Sequence, residues 1–313
     1  MQLTYLFCTD ELKDKVGPLA WQVARELIPM TPAGFAADGG DVMKVEDRAG
    51  NEIFLVPTLE IVSHNLRRYQ PLLSGFLGAS ALAGIVNWHE GGNAPDHIFC
   101  VHTNGDVPSG CFPKAQPHLT SQLLRSLDKE ARLKGLVDWR ALPEATHFSG
   151  VVYGTKPSAL LDLPVPLVDV EIGSNPCSWS DRVAAEALVL ALWRAFECEE
   201  ALLPVVLFVG GMHFDAALAE GVVGNGGAGP SCSFGHVLPN QWVVNEGYLG
   251  ADGMDKLRAA VSSLTVKPDI LVYHDNLKGP FKSAVRALAS ELSIPAANHR
   301  ILRRGVQSIR RGA

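Results

Sequence analysis

Nothing in this sequence supplies a membrane anchor, a disulfide framework or a familiar phosphate loop. No apolar run approaches the roughly 20 uninterrupted residues that cross a bilayer. The longest candidate, AAEALVLALWRAF at 184–196, is broken by Glu186 and Arg194. The six cysteines (Cys8, Cys100, Cys111, Cys177, Cys198 and Cys232) include no CxxC pair. In a 313-residue chain that excludes a cysteine-stapled scaffold and favours thiols buried as small hydrophobes, with Cys111 and Cys177, in Gly/Pro-rich loops, the two to check for reactivity. HExxH, GxSxG and P-loop motifs are absent as well, and the diglycine turn at 210–211 is not a GxGxxG, so no single motif announces a chemistry. The opening MQLTYLFCTD reads as a first strand rather than a leader, and a cytoplasmic location without membrane contact is expected.

What is present is a globular composition. Hydrophobic residues make up 47% and charged residues 19%, enough apolar surface to fold and too little charge for a disordered chain. The net charge of −6 argues against a general nucleic-acid binder and against DNA as a partner. Positive charge gathers at the C-terminal tail, where 299–313 holds five arginines and no acid. Such a tail suits phosphate or a plain solvated terminus equally well on charge alone.

Short runs rich in Val, Ile, Leu and Phe predict strands at 3–9, 52–57, 97–103, 166–173, 204–211 and 269–275. Apolar residues at helical spacing predict helices at 11–28, 118–135, 178–198, 253–264 and 279–292, with Ser178 as a cap and Pro280 in a first turn. The alternation predicts an α/β fold with a mostly parallel central sheet and helices on both faces. One α/β domain over 1–313 is expected, with a Gly-rich loop at 221–235 and a basic tail at 299–313.

In such a sheet ligands gather outside the carboxyl ends of the strands. Polar residues there are His102, Glu171, the Gly210–Gly211 turn before His213, and His274–Asp275. Glu144, Thr146 and His147 stand together in LPEATHFSG, between a proline and a glycine. These groups can move protons or hold a metal. The dispersed imidazoles His102, His118, His147, His213 and His236 are candidate ligands, although no zinc spacing is present. The Gly210–Gly211 turn lets a ligand approach the backbone, or is simply a tight turn before a helix-capping His213. His236 in GHVLPN reads on its own as a buried, hydrogen-bonded histidine; His64, His89, His97 and His299 read as structural or exposed.

Taken in order, PEATHFSG, VEIGS with the WSDRVAA segment after it, VGGMHF, GHVLPN and DNLKGPFKSAVRALASEL resemble the archaeal and plant type of D-aminoacyl-tRNA deacylase over nearly the whole chain. The resemblance implies a single α/β domain akin to peptidyl-tRNA hydrolases and nucleoside phosphorylases. It implies hydrolysis of the ester joining a D-amino acid to the acceptor end of tRNA, and a dependence on zinc. Matching positions are Glu144, Thr146 and His147; Glu171, Gly173 and Ser174; Gly210, Gly211 and His213; Gly235, His236 and Pro239; and Lys278 and Gly279. The chain departs from the pattern at Phe148, where a second histidine is usual, and at Met212 and Phe214 in the diglycine motif. The first departure bears on zinc and the second on the width of the acyl pocket.

Together these readings give His147 or His213 as a base oriented by Glu144 or Glu171, and Thr146, Ser174, Gly210, Gly211, His236 and Lys278 as substrate-binding residues. The amides after Gly211 would meet the oxyanion, and Lys278 with the arginine tail would meet phosphate. Transfer of the aminoacyl group to an amine, forming a peptide or cyclodipeptide, and a catalytically silent tRNA-end binder are the alternatives.

Overall fold

The apolar runs become strands whose side chains alternate between two faces, and that alternation sorts core from chemistry. The structure, a computed structural model, describes residues 1–91, 94–198, 200–225 and 228–306. Within them the strands are β1 (Gln2–Cys8), β2 (Thr31–Ala37), β3 (Gly40–Glu46), β4 (Glu52–Thr58), β5 (Leu82–His89), β6 (His97–Thr103), β7 (Arg140–Pro143), β8 (Leu167–Ser174), β9 (Val205–Val209), β10 (Ser233–Leu238), β11 (Ile270–Tyr273) and β12 (Ala296–Asn298).

A large, mostly parallel sheet flanked by helices forms as expected, and a second, smaller sheet stands in addition to it. The larger has the order β2-β3-β4-β1-β5-β8-β6-β7, and the smaller β10-β9-β11-β12. Strands β4, β1, β5 and β8 run parallel; β6 is antiparallel to β8 and parallel to β7. An antiparallel β2-β3-β4 meander closes one edge, and the smaller sheet is parallel throughout. The mostly parallel character follows the helical crossovers, while the division arises because the strands after residue 204 pair with one another. One hydrophobic cluster nevertheless spans both sheets, joining Phe7, Val86 and Val170 to Phe208, Phe234 and Val272.

Helices Gly17–Leu27, Pro117–Leu133 and Arg182–Arg194 cover one face of the large sheet; the other receives Leu66, Tyr69 and Leu73 of helix Leu66–Ser74. Pro280 lies in the first turn of helix Gly279–Glu291, as expected. Ser178 does not cap a long helix: a short helix Pro176–Trp179 ends there, and the next begins after Asp181. The Asp181 carboxylate accepts from the amides of Val183 and Ala184, which fixes the start. The glycine-rich stretch expected as a loop at 221–235 is partly ordered into elements. Helix Ala216–Val223 takes its first residues, β10 takes its last, and residues 226 and 227 lie outside the described residues. All six cysteines are free. Among the described residues no helix is long and apolar enough to cross a membrane.

Candidate active site

Strand alternation builds the floor of the site. Val168, Val170 and Ile172 of β8 and Phe99 and Val101 of β6 enter the main core. The intervening residues therefore project from the opposite face: Asp169 and Glu171 from β8, Cys100 and His102 from β6. Register places Cys100 beside Glu171 and His102 beside Asp169. His102 is sealed from solvent, its Nε2 3.5 Å from Asp169 Oδ2 and 3.6 Å from Glu171 Oε1. Burial alone would keep that imidazole neutral. Contact with Glu171 and the charges of Asp169 and Glu144 outweigh burial and push its pKa up to about 10, so it is held as the cation. Glu171 moves up to about 7, through burial first and then the charge of Glu144.

The EATH segment forms the seam between the sheets. The Glu144 amide donates to Val101 O, the Ala145 amide to His213 O and the Thr146 amide to Val237 O, stitching β6 to the loop after β9 and to β10. Glu144 is thereby carried into the interior, fully buried. Its Oε1 accepts from His213 Nε2 at 2.6 Å and lies 3.4 Å from His89 Nε2 and 3.9 Å from His147 Nδ1. Among the described residues its Oε2 has no hydrogen-bond partner. Burial opposes ionisation of Glu144, but the bonds from His213 and His89 prevail and hold its pKa well below the usual carboxylate range.

The histidines around Glu144 differ in their freedom. His147 Nδ1 donates to Ala145 O at 2.9 Å, leaving Nε2 as the lone-pair nitrogen, and its ring stacks on His102 at 3.9 Å. Burial and then the charge of His102 push its pKa down to about 3. His89 lies between Glu144 and Ser174 Oγ, which is 2.9 Å from its Nδ1. Burial works against protonation of His89, yet contact with Glu144 raises its pKa. His213 has a partly exposed side chain and, among the described residues, hydrogen-bonds through Nε2 alone. Phe214 and Trp242 flank these rings.

His147, His213, Glu144 and Glu171 are thus brought together as expected. The substrate-binding expectations fare differently. Thr146 and His236 are fully buried: Thr103 Oγ1 contacts Thr146 Oγ1 at 2.8 Å and His236 Nδ1 at 2.9 Å, while His236 Nε2 meets Ser263 Oγ. They brace the seam from behind, and His236 is the buried, bonded histidine its local sequence suggested. Ser174 holds His89 rather than facing open space. The amides of Gly210 and Gly211 are already engaged, with Leu238 O and Asn276 Oδ1. Both glycines have φ near 90° (95° and 80°), and a side chain at Gly211 would meet Asp215 and Phe208 at 2.9 Å, so the turn that presents His213 requires them. His213 does not cap the following helix; Asp215 does. Lys278 is exposed, at the start of helix Gly279–Glu291.

His118 is 3.3 Å from Ser233 Oγ and takes no part in the cluster. His274, near Asp215 and His299, belongs to the edge of the smaller sheet. Phe148 packs into the second core cluster, and Met212, 70% exposed, stands out in solvent instead of narrowing a pocket. In the tail, Arg300 pairs with Asp275 and Arg303 with Glu220, so these two arginines are tied to the body. Residues 307–313 lie outside the described residues. His89, read as structural, is the main residue missed, together with Asp169 and Trp242. His89 ends LAGIVNWH, a strand finishing in histidine much as HIFCVHT nearly does, but its Ala and Gly dilute the strand signal.

Ligand atoms of His89, Glu144 and His213 lie within 4.8 Å of one another, as do those of His102, Glu144 and His147. The first set offers two imidazoles and a carboxylate next to solvent, a donor set suited to zinc with an open position, and the unpartnered Glu144 Oε2 adds a free acceptor.

The family model described as D-aminoacyl-tRNA deacylase matches residues 79–297. A D-aminoacyl-tRNA deacylase from Pyrobaculum aerophilum is 24% identical over 263 residues, covering 84% of this chain and 90% of that protein. One from Pyrobaculum neutrophilum is 26% identical over 209 residues, covering 67% of this chain and 71% of that protein. The crystal structure of AF0625, a conserved protein of unknown function, superposes with a TM-score of 0.74 at 17% identity, covering 97% of each chain, and so shares the fold. Matched by the family model over more than half of its length, the chain belongs to the D-aminoacyl-tRNA deacylase family.

Proposed function

We propose that this chain hydrolyses the ester between a D-amino acid and the acceptor end of tRNA, releasing both. The observation that supports this reading most is the 2.6 Å contact between buried Glu144 and half-open His213. An ionised, desolvated carboxylate bonded to one imidazole nitrogen fixes the ring and leaves the other nitrogen as a proton acceptor. His213 takes a proton from water at Nδ1, and Glu144 stabilises the imidazolium that forms. The His102 cation offsets the negative charge of Glu144 and Glu171, and the amides of Met212 and His213 serve the developing oxyanion. An aminoacyl ester is already activated, so a base contribution of about 10²–10⁴ is a substantial part of what the reaction needs.

His89, Glu144 and His213 fit zinc, which bound there would polarise water. With that cation in place His213 would be a ligand, and Nε2 of His147, the lone-pair nitrogen, would be left to accept a hydrogen bond from the water. Aminoacyl transfer and a catalytically silent tRNA-end binder gain no support from the comparisons.

The test incubates the purified protein with matched D- and L-aminoacyl-tRNAs, with and without chelator, identifying every product and measuring bound metal. Free D-amino acid and intact tRNA are expected, with the L-ester spared and turnover lost on removal of bound zinc. A dipeptide product, or no release above background, overturns the reading.

A further inference from the structure

A large cleft at the carboxyl ends of the first strands takes part in no step above. It encloses about 710 Å³ and is lined by segments that follow three strands: Leu12 to Lys15 after β1, Glu60 to Arg67 after β4, and Trp88 at the end of β5. In the sheet, β4 and β5 lie on opposite sides of β1, so the strand order switches direction there, and the carboxyl ends leave a crevice.

Its lining joins stacking surfaces to positive charge. The rings of His64 and Tyr153 stack 3.8 Å apart, Trp88 stands edge-on to His64 at 6.1 Å, and Tyr153 is 57% exposed. Burial pushes the His64 pKa down to about 4, which leaves the platform uncharged. Lys13, Lys15 and Arg67 supply the charge. Glu60, the one acid among the lining residues, is already held by Lys13, Asn65 and Arg68. Lys15 and Arg67 make no ion pair among the described residues. The cleft also connects with the catalytic cluster through the chain: Trp88 immediately precedes His89, and Tyr153 lies on the loop that leaves His147.

Building on the proposed ester hydrolysis, we propose that this cleft is the subsite for the single-stranded nucleotides at the 3′ end of the RNA. Their bases stack on Tyr153 and Trp88, and their phosphates are met by Lys15 and Arg67. A cationic groove with exposed aromatic faces is how single strands are gripped, since every base has a π-face and every link a phosphate. A duplex offers no free faces. The cleft therefore selects the unpaired end and delivers the terminal ester toward His89 and His213.

The test uses an uncharged, fluorescein-labelled trinucleotide CCA, with Kd measured by anisotropy across salt concentrations for the parent, Tyr153→Ala and Arg67→Glu. Both positions are exposed, so both variants are expected to fold. Each raises Kd about tenfold, and Arg67→Glu flattens the slope of log Kd against log salt by roughly 0.7. With D-aminoacyl-tRNA the same variants raise KM far more than they lower kcat. Unchanged Kd in both variants overturns the assignment, as does equal competition by a blunt RNA duplex. The trinucleotide carries no ester, so its binding stands or falls independently of whether amino acid is released.

Discussion

His102 and His213 both sit against a glutamate, yet the His102 side chain is 0% exposed and that of His213 is 35% exposed. Around His102 three carboxylates, from Asp169, Glu171 and Glu144, surround a single imidazole, which is held as a cation. Around His213 one carboxylate meets a ring whose other nitrogen makes no hydrogen bond among the described residues. The same residue types do different work because charge in the interior is fixed by its neighbours, whereas at the mouth it can change with each turnover. A proton held among three buried carboxylates is not free to be passed on. In the proposed reaction the floor is the electrostatic support and the mouth carries the proton.

Substitution separates the two. His213→Ala is expected to lower turnover by about 10²–10⁴ while leaving aminoacyl-tRNA binding nearly intact; an alanine variant with parental turnover would end the assignment. His102→Ala leaves three clustered carboxylates without their cation. Breaking such a buried constellation costs about 3–5 kcal/mol, which calorimetry reads as a fall in melting temperature well beyond that of His213→Ala. Equal melting temperatures for the two variants would erase the distinction between floor and mouth.

The sequence carried the fold class and most of the cluster, for identifiable reasons. Glu171, His102 and His213 lie at or near the ends of strands or turns, where sequence position and spatial position coincide. The hairpin β2-β3 went unread although Asp38–Gly39 is a two-residue turn of the usual kind, because TPAGFAA is too poor in large apolar residues to look like a strand. Strand β5 was lost to its alanine and glycine, and His89 with it. The roles of Thr146 and His236 depend on two sheets meeting across the seam, a contact over 90 residues of separation that no local pattern encodes. Asp169 was hidden inside an apolar strand, since only pairing with β6 shows which face it takes.

The seam itself offers the mildest test, and pH is the means of reading it. Burial pushes the His236 pKa from 6.5 down to about 3 in the folded chain, and both of its nitrogens are bonded, to Thr103 and Ser263. Between those two values the unfolded chain binds a proton that the folded chain refuses. Stability from this group is therefore complete above pH 6.5 and is lost as pH falls toward 3. His147, which behaves alike, and Glu171, which acts in the opposite direction, both titrate in this range, so the parent curve alone is uninformative. His236→Gln keeps polar atoms near Thr103 and Ser263 but removes the titrating group. Unfolding free energies from urea titration should show the parent losing about 2 kcal/mol relative to His236→Gln between pH 7 and pH 5. Parallel curves for the two proteins would mean that His236 is charged in the fold, and the seam would then need a counter-charge that Thr103, Thr146 and Ser263 do not supply.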